Sequence, residues 1–168
     1  MKEDYDRARQ CYEIILATDP DDQLAAANLK LTQEVLRQNS VERVTKLMDE
    51  NKTDEALKLA NELLKQTPES AALYNLLGRI YGEKKGDIEA AIPYLNKALE
   101  LDPTFVSAYE NLGIAYATKG NFPKALELLQ KALELDPENT HVMNNIAMLY
   151  GNMGDTQKEQ AFRQAHGL

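Results

Sequence analysis

The heptapeptide Lys97-Ala98-Leu99-Glu100-Leu101-Asp102-Pro103 (KALELDP) returns letter for letter at Lys131–Pro137, 34 positions later. Identical words at a fixed spacing of that size mark a repeated structural unit. Lys, Ala, Leu and Glu favour helix, and the closing Asp-Pro ends it: proline lacks the N–H a helix interior needs and pushes the preceding residue out of helical geometry. The word is therefore the end of one helix and the hinge into the next.

A longer pattern surrounds each copy. Backward from Pro137 stand Ala132, Leu129, Ala125, Gly120, Tyr116, Gly113, Leu112 and Tyr109. Backward from Pro103 stand Ala98, Leu95, Ala91, Gly86, Tyr81, Gly78, Leu77 and Tyr74, with one extra residue within Gly82–Lys85. Tyr109, Leu112, Ala115 and Tyr116 recur at three- and four-residue steps, as do Ala125, Leu128, Leu129, Ala132 and Leu133, so the unit is two amphipathic helices facing each other. Gly113 and Ala125 allow close approach where the helices cross. Lys119-Gly120-Asn121 supplies the turn, with Gly120 at positive φ and Asn121 as N-cap. Pro137 is expected in the first turn of the following helix, capped by Asp136.

This pattern resembles the tetratricopeptide repeat: an aromatic residue, Leu-Gly, Tyr, then Ala, a large apolar residue and Pro over 34 residues. The resemblance implies an all-α, right-handed superhelical solenoid of antiparallel helix hairpins. Expected divisions are a half-repeat helix at 1–21, a degenerate extended repeat at 22–70, regular repeats at 71–105 and 106–139, and a degenerate capping repeat at 140–168. In the last, Met143, Ile146, Ala147 and Tyr150 take the pattern places, Gly154-Asp155 makes the turn, and Ala161, Phe162 and Ala165 are the apolar residues of a short second helix. In the extended repeat, Val41, Val44, Leu47 and Met48 mark a first helix and Ala56, Ala60, Leu63, Leu64 and Pro68 a second.

From Pro20 to Pro68 is 48 residues, 14 more than one period. The surplus is either one unusually long helix beginning near Asp22 or a separate inserted helix. The stripe Leu24, Leu31 and Val35 is rotated from Val41, Val44 and Met48, and Asn39-x-x-Glu42 has the form of a capping box, which favours a bend or break near Gln38–Ser40. Pro93, about six residues into its helix, is expected to tilt or delay it. Tyr5–Pro20 has the form of a second helix without its first. The apolar residues on more than one of its faces (Tyr5, Ala8, Cys11, Tyr12, Ile14, Ile15, Leu16) predict an uncovered patch and a homodimer through it. Cys11 is placed on the interior-looking face with Ile14 and Ile15, as a buried structural thiol.

The formal charge of −8 opposes a nucleic-acid or anionic-membrane role, since both depend on Lys and Arg meeting phosphates. Apolar runs are too short to cross a bilayer, the start is charged where an export signal is apolar, and one cysteine forms no internal disulfide, so the cytoplasm is the default expectation. No enzyme, cofactor or metal is expected: His141 and His166 lie 25 residues apart with no partners at ligand spacing, and the glycines punctuate turns. Tyr74, Tyr81, Tyr109, Tyr116 and Tyr150 are assigned to the core.

What remains is surface. The resemblance implies a concave groove lined by first helices, in which a protein or peptide segment docks. Its expected lining is Asn75, Arg79 and Glu83, then Ser107, Glu110, Asn111, Ile114 and Thr118, then His141, Asn144, Asn145, Met148 and Asn152. Asn111 and Asn145 hold the same place in successive repeats and are similar to the asparagine ladder of the tetratricopeptide region of O-GlcNAc transferase, with Leu76 interrupting it one repeat earlier. The chaperone-binding subgroup carries a basic carboxylate clamp. Its places hold Asn75, Arg79, Asn111, His141 and Asn145, of which only Asn111 agrees, so an acidic chaperone tail is not the expected ligand. The alternative reading is a structural or oligomerising segment of a larger, possibly enzymatic, protein.

Overall fold

The computed structural model describes the backbone of residues 2–168 and the side chains of residues 4–36 and 40–168. Nine α-helices follow one another among the described residues: α1 Lys2–Thr18, α2 Gln23–Asp49, α3 Thr53–Gln66, α4 Ala71–Arg79, α5 Ile88–Leu101, α6 Val106–Thr118, α7 Phe122–Leu135, α8 Thr140–Asn152 and α9 Thr156–His166. Each packs on its sequence neighbour, the arrangement of an all-α solenoid of helix hairpins.

Polar residues start six of these helices by accepting a backbone N–H of the first turn. Asp22 caps Ala25, Ser70 caps Leu73, Asp87 caps Ala90, Asn121 caps Lys124, Asn139 caps Val142 and Asp155 caps Lys158. The hinge differs here from expectation. Asn139, not Asp136, caps α8; Asp136 ends α7 and accepts the Asn139 side-chain amide at 3.0 Å. Pro137 sits in the intervening turn rather than in the first turn of α8, because the Asp-Pro pair is followed by a reverse turn before a new cap is set. Asp102 does the same before α6, accepting from both the backbone and hydroxyl of Thr104. Pro93 neither ends nor delays α5, which begins directly after its Asp87 cap and runs through it.

The hairpin crossings are as close as small residues permit. A Cβ at Gly113 would lie 2.8 Å from Leu129 Cγ and 3.3 Å from the Ala125 carbonyl oxygen; at Gly78 it would lie 2.5 Å from Leu95 Cγ. The glycines thus make room for a leucine of the second helix, and that leucine is buried in both units. Three buried clusters run along the solenoid. Val44, Met48, Ala56, Ala60, Leu76, Leu77 and Ile80 join α2, α3 and α4; Leu95, Leu112, Ala115 and Leu128 join α5, α6 and α7; Ala125, Leu129, Ala132, Val142, Ile146 and Leu149 join α7 and α8. The pattern tyrosines are half-buried, and Tyr109, Tyr116 and Tyr150 pack on the flanks of these clusters. Tyr81 stacks on Tyr94 with centroids 5.3 Å apart, and Tyr74 lies beside Tyr94 at 6.5 Å. In α9 only Phe162 packs inward, against Tyr150, while Ala161 and Ala165 are exposed.

The extra residue within Gly82–Lys85 is absorbed without breaking the helix: α4 continues as one π-helical turn, Ile80–Lys84. Asn121 N donates to Tyr116 O and Asp155 N to Tyr150 O, five residues back, whereas Asp87 N reaches Tyr81 O, six back. Gly86, Gly120 and Gly154 all turn the chain at positive φ.

The expected break near Gln38–Ser40 does not occur; α2 runs unbroken from Gln23 to Asp49. No Gly or Pro interrupts that stretch, and the hydroxyls of Thr32, Ser40 and Thr45 bond back to Asn28, Leu36 and Val41 carbonyls of the same helix. The side chain of Asn39, the candidate cap, lies outside the described residues. The 14 surplus residues therefore lengthen one helix by nearly four turns. Its first half packs on α1 and its second on α3 and α4, and a cleft of about 850 Å³ opens between α1, α2 and α3. Ala25 and Thr32, not Leu24 and Leu31, face inward in the first half. Cys11 is exposed, a correction to its assignment as a buried thiol: the side of α1 that carries it has no helix over it among the described residues.

Candidate functional site

Helices α2, α4, α6 and α8 touch in succession, whereas α3, α5 and α7 make no comparable contacts with one another. The stack curves toward the helices drawn together, so the first helices line its inner face. On that face the expected residues divide by depth. Ser107, Ile114, His141, Asn144 and Met148 are exposed, Arg79, Glu110, Asn111 and Asn145 half-buried. Asn75, only 6% exposed, is part of the interior rather than of the lining.

The half-buried residues form a repeated link between units. Asn111 Nδ2 donates to Asn75 Oδ1 at 2.8 Å, and Asn145 Nδ2 donates to Glu110 Oε1 at 2.8 Å. Asn75 and Glu110 hold one repeat position, Asn111 and Asn145 the next, so each bond joins a position to its neighbour one repeat earlier. The asparagine series thus continues through Asn75 beside Leu76, and one side-chain N–H of Asn111 and one of Asn145 are already engaged. Asn144 turns back to the Thr140 carbonyl of its own helix.

Charge on this face is unbalanced. Arg79 is held in a two-bond pair by Glu83, Nε to Oε1 at 2.9 Å and Nη2 to Oε2 at 3.2 Å, and this pairing, with the fields of Asp49 and Glu110, holds its proton more tightly than usual. Burial pushes the Glu110 carboxyl above its ordinary range, against the opposing pull of His141, the Asn145 hydrogen bond and Arg79. Among the described residues no lysine or arginine stands within ion-pair distance of Glu110. One helical turn further along, Ile114 (43% exposed) and Met148 (58%) place apolar side chains at the same repeat position on α6 and α8. The face thus offers one half-buried carboxylate, amide oxygens and a small apolar strip.

Among the described residues no His, Cys, Asp or Glu cluster has the makings of a metal site, and no helix is long and apolar enough to cross a membrane.

Comparison with known proteins agrees with the repeat geometry. A tetratricopeptide repeat family pattern matches residues 41–104 and 83–140, and a second matches 128–161. The chain belongs to the tetratricopeptide repeat family. The human antiviral innate immune response effector IFIT1 is 30% identical over 67% of this chain, which spans 29% of that relative's length. The structure of the human IFIT1 dimer with m7Gppp-AAAA superposes with a TM-score of 0.70 at 21% identity, over 96% of this chain and 45% of that one. MamA superposes at 0.66 and 22% identity, over 97% and 86% of the two chains. The first tetratricopeptide domain of Spaghetti (RPAP3), solved with the HSP90 peptide SRMEEVD, superposes at 0.64 and 21% identity, over 70% and 93%.

Proposed function

We propose that this chain is a noncatalytic scaffold that holds a peptide or protein segment on the inner face of α4, α6 and α8. The observation that carries the reading is that Ile114 and Met148 stand exposed at one repeat position on α6 and α8, beside the side chains that hydrogen-bond between repeats. The RPAP3 domain, whose structure includes a peptide, supports the same use of the fold. The nucleotide ligand of the IFIT1 structure raises RNA as another class of partner, but a face with three carboxylates around one guanidinium is unsuited to phosphate. The test is capture of partners from native extract by the parent chain and by Ile114→Asp/Met148→Asp, with Gln130→Asp on exposed α7 surface as control. Loss of a partner with the first variant alone supports the reading; equal capture by all forms removes it.

We further propose self-association through α1, because Ile14 (67% exposed), Leu24 (71%) and Leu31 (64%) leave apolar side chains in water at that end of the solenoid.

A further inference from the structure

Resting on the inner-face reading, we infer that the segment held there is cationic: an extended stretch that sets a lysine or arginine on Glu110 and an apolar side chain on Ile114 and Met148. The argument begins with what is already satisfied. Glu83 is spent on Arg79 through two hydrogen bonds, so that pair presents little net charge to a ligand. Glu110 receives one amide N–H on Oε1 from Asn145, a bond that fixes the carboxylate but does not neutralise it. Half-burial has already removed part of its water, and a guest ammonium or guanidinium would meet a carboxylate whose desolvation is partly complete.

The rest of the face repels the opposite ligand. An acidic tail would approach Glu110, Glu83 and Asp49 with Arg79 as the nearby fixed cation, and that cation is already occupied. Like charges brought together on a docking face act as selection against the wrong partner. Apolar specificity follows from register. Ile114 lies one turn beyond Glu110 on α6, and Met148 takes the same repeat position on α8, so a strand crossing the helices meets carboxylate and apolar strip on parallel tracks. Met148 adapts its shape to the guest because its side chain is unbranched.

The probes are the amidated heptapeptide SRMEEVD and the same peptide with its acidic residues replaced by lysine, titrated into the full chain at low and moderate salt. Binding constants are read by calorimetry, and the binding face by amide and methyl chemical shifts. The lysine peptide is expected to bind about tenfold more tightly, to weaken with salt, and to shift Glu110, Ile114 and Met148 resonances. Glu110→Gln keeps an acceptor for Asn145 and should remove most of the preference between the two peptides. Equal or tighter binding of the acidic peptide on the same face overturns the charge inference and leaves the inner-face reading standing. Shifts confined to other surfaces overturn both, as does an absence of shifts with either peptide.

Discussion

Asn111 Nδ2 donates to Asn75 Oδ1 across a repeat boundary at 2.8 Å, and its acceptor is buried. An amide committed in this way is structural as well as lining. Asn111→Ala should destabilise the chain by about 1–2 kcal/mol, because the buried Asn75 side chain loses its partner. Asn145→Ala should cost less, since half-exposed Glu110 recovers a hydrogen bond from water. Denaturant unfolding of the two variants checks the order; equal costs would mean that burial of the Asn75 acceptor adds nothing to the bond's contribution.

Gly113 and Gly151 predict a graded response. A Cβ at Gly113 meets Leu129 at 2.8 Å and the Ala125 carbonyl at 3.3 Å, so Gly113→Ala should cost about 1–3 kcal/mol and Gly113→Leu more. At Gly151 the near atom is instead the end of the flexible Glu159 side chain, which can swing away, so Gly151→Ala should be nearly neutral or better. Thermal melts of the three variants suffice; a Gly113→Leu chain as stable as the parent would displace the crossing from this position.

The fold was legible wherever small residues and turn residues recur together. KALELDP, the glycines at 78 and 113, and the alternation of two amphipathic patterns led to paired helices in residues 71–168, with the start of α8 set too early, at Pro137 instead of Thr140. The one-residue surplus after Tyr81 was visible, though its form as a π turn was not, since insertion into a helix and lengthening of a loop give the same count. The stretch 22–50 misled for a related reason. A helix that changes partners halfway along rotates its apolar stripe, which mimics a break, and Asn39-x-x-Glu42 repeats the spacing of a capping box inside a continuous helix. On the inner face the positions of Asn111 and Asn145 were readable, but not that their amides reach Asn75 and Glu110, because those bonds join residues 36 and 35 positions apart. The equal repeat position of Asn75 and Glu110 was the available signal.

The π turn is an absorbed insertion, and deleting Lys85 should restore the spacing of the following repeat. The sequence would then read Glu83-Lys84-Gly86-Asp87, matching Thr118-Lys119-Gly120-Asn121. Since the Lys85 side chain contributes an exposed pair with Asp54 at 3.8 Å and a place over the Tyr81 ring, and its backbone N–H bond to the Ile80 carbonyl belongs to the turn being removed, the deletion should change stability by less than about 1 kcal/mol. Circular dichroism melts read the result, and a large loss would show that the wider turn is required.

Glu110 gives the chain a definite pH signature. Its carboxyl is held above the ordinary range in the folded state by burial, so the folded chain binds this proton more tightly than the unfolded one. This contribution to stability is greatest at low pH, declines as pH rises from the unfolded value through the folded one, and is flat above it. Glu110→Gln removes the group, and its stability relative to the parent should therefore rise across that window and level off near neutrality. Parallel denaturation series between about pH 4 and pH 7 test the sign; a difference that moves the other way would place Glu110 in a net stabilising ionised state.

Register identifies the surface through which two copies would meet. Aligning Pro20 with Pro137 places Ala8, Cys11, Tyr12 and Ile15 of α1 on Ala125, Leu128, Leu129 and Ala132 of α7. All four α7 residues are buried: Ala125 and Leu129 border the crossing beside Gly113, and Leu128 packs in the cluster with Leu95, Leu112 and Ala115. Their counterparts Cys11 and Ile15 are exposed, with Ile14, Leu24 and Leu31 adding to the apolar surface. A second copy of α1 laid against the first would cover the strip on both chains with one self-complementary contact. Multi-angle light scattering over a wide concentration range should therefore show mass rising toward a dimer, and Ile15→Glu or Ile14→Glu should return it to the monomer by placing a charge in that contact. Helix content should hold, since both positions are exposed in the single chain. A parent that stays monomeric at high concentration removes the contact, and a dimer indifferent to both substitutions moves it to another surface.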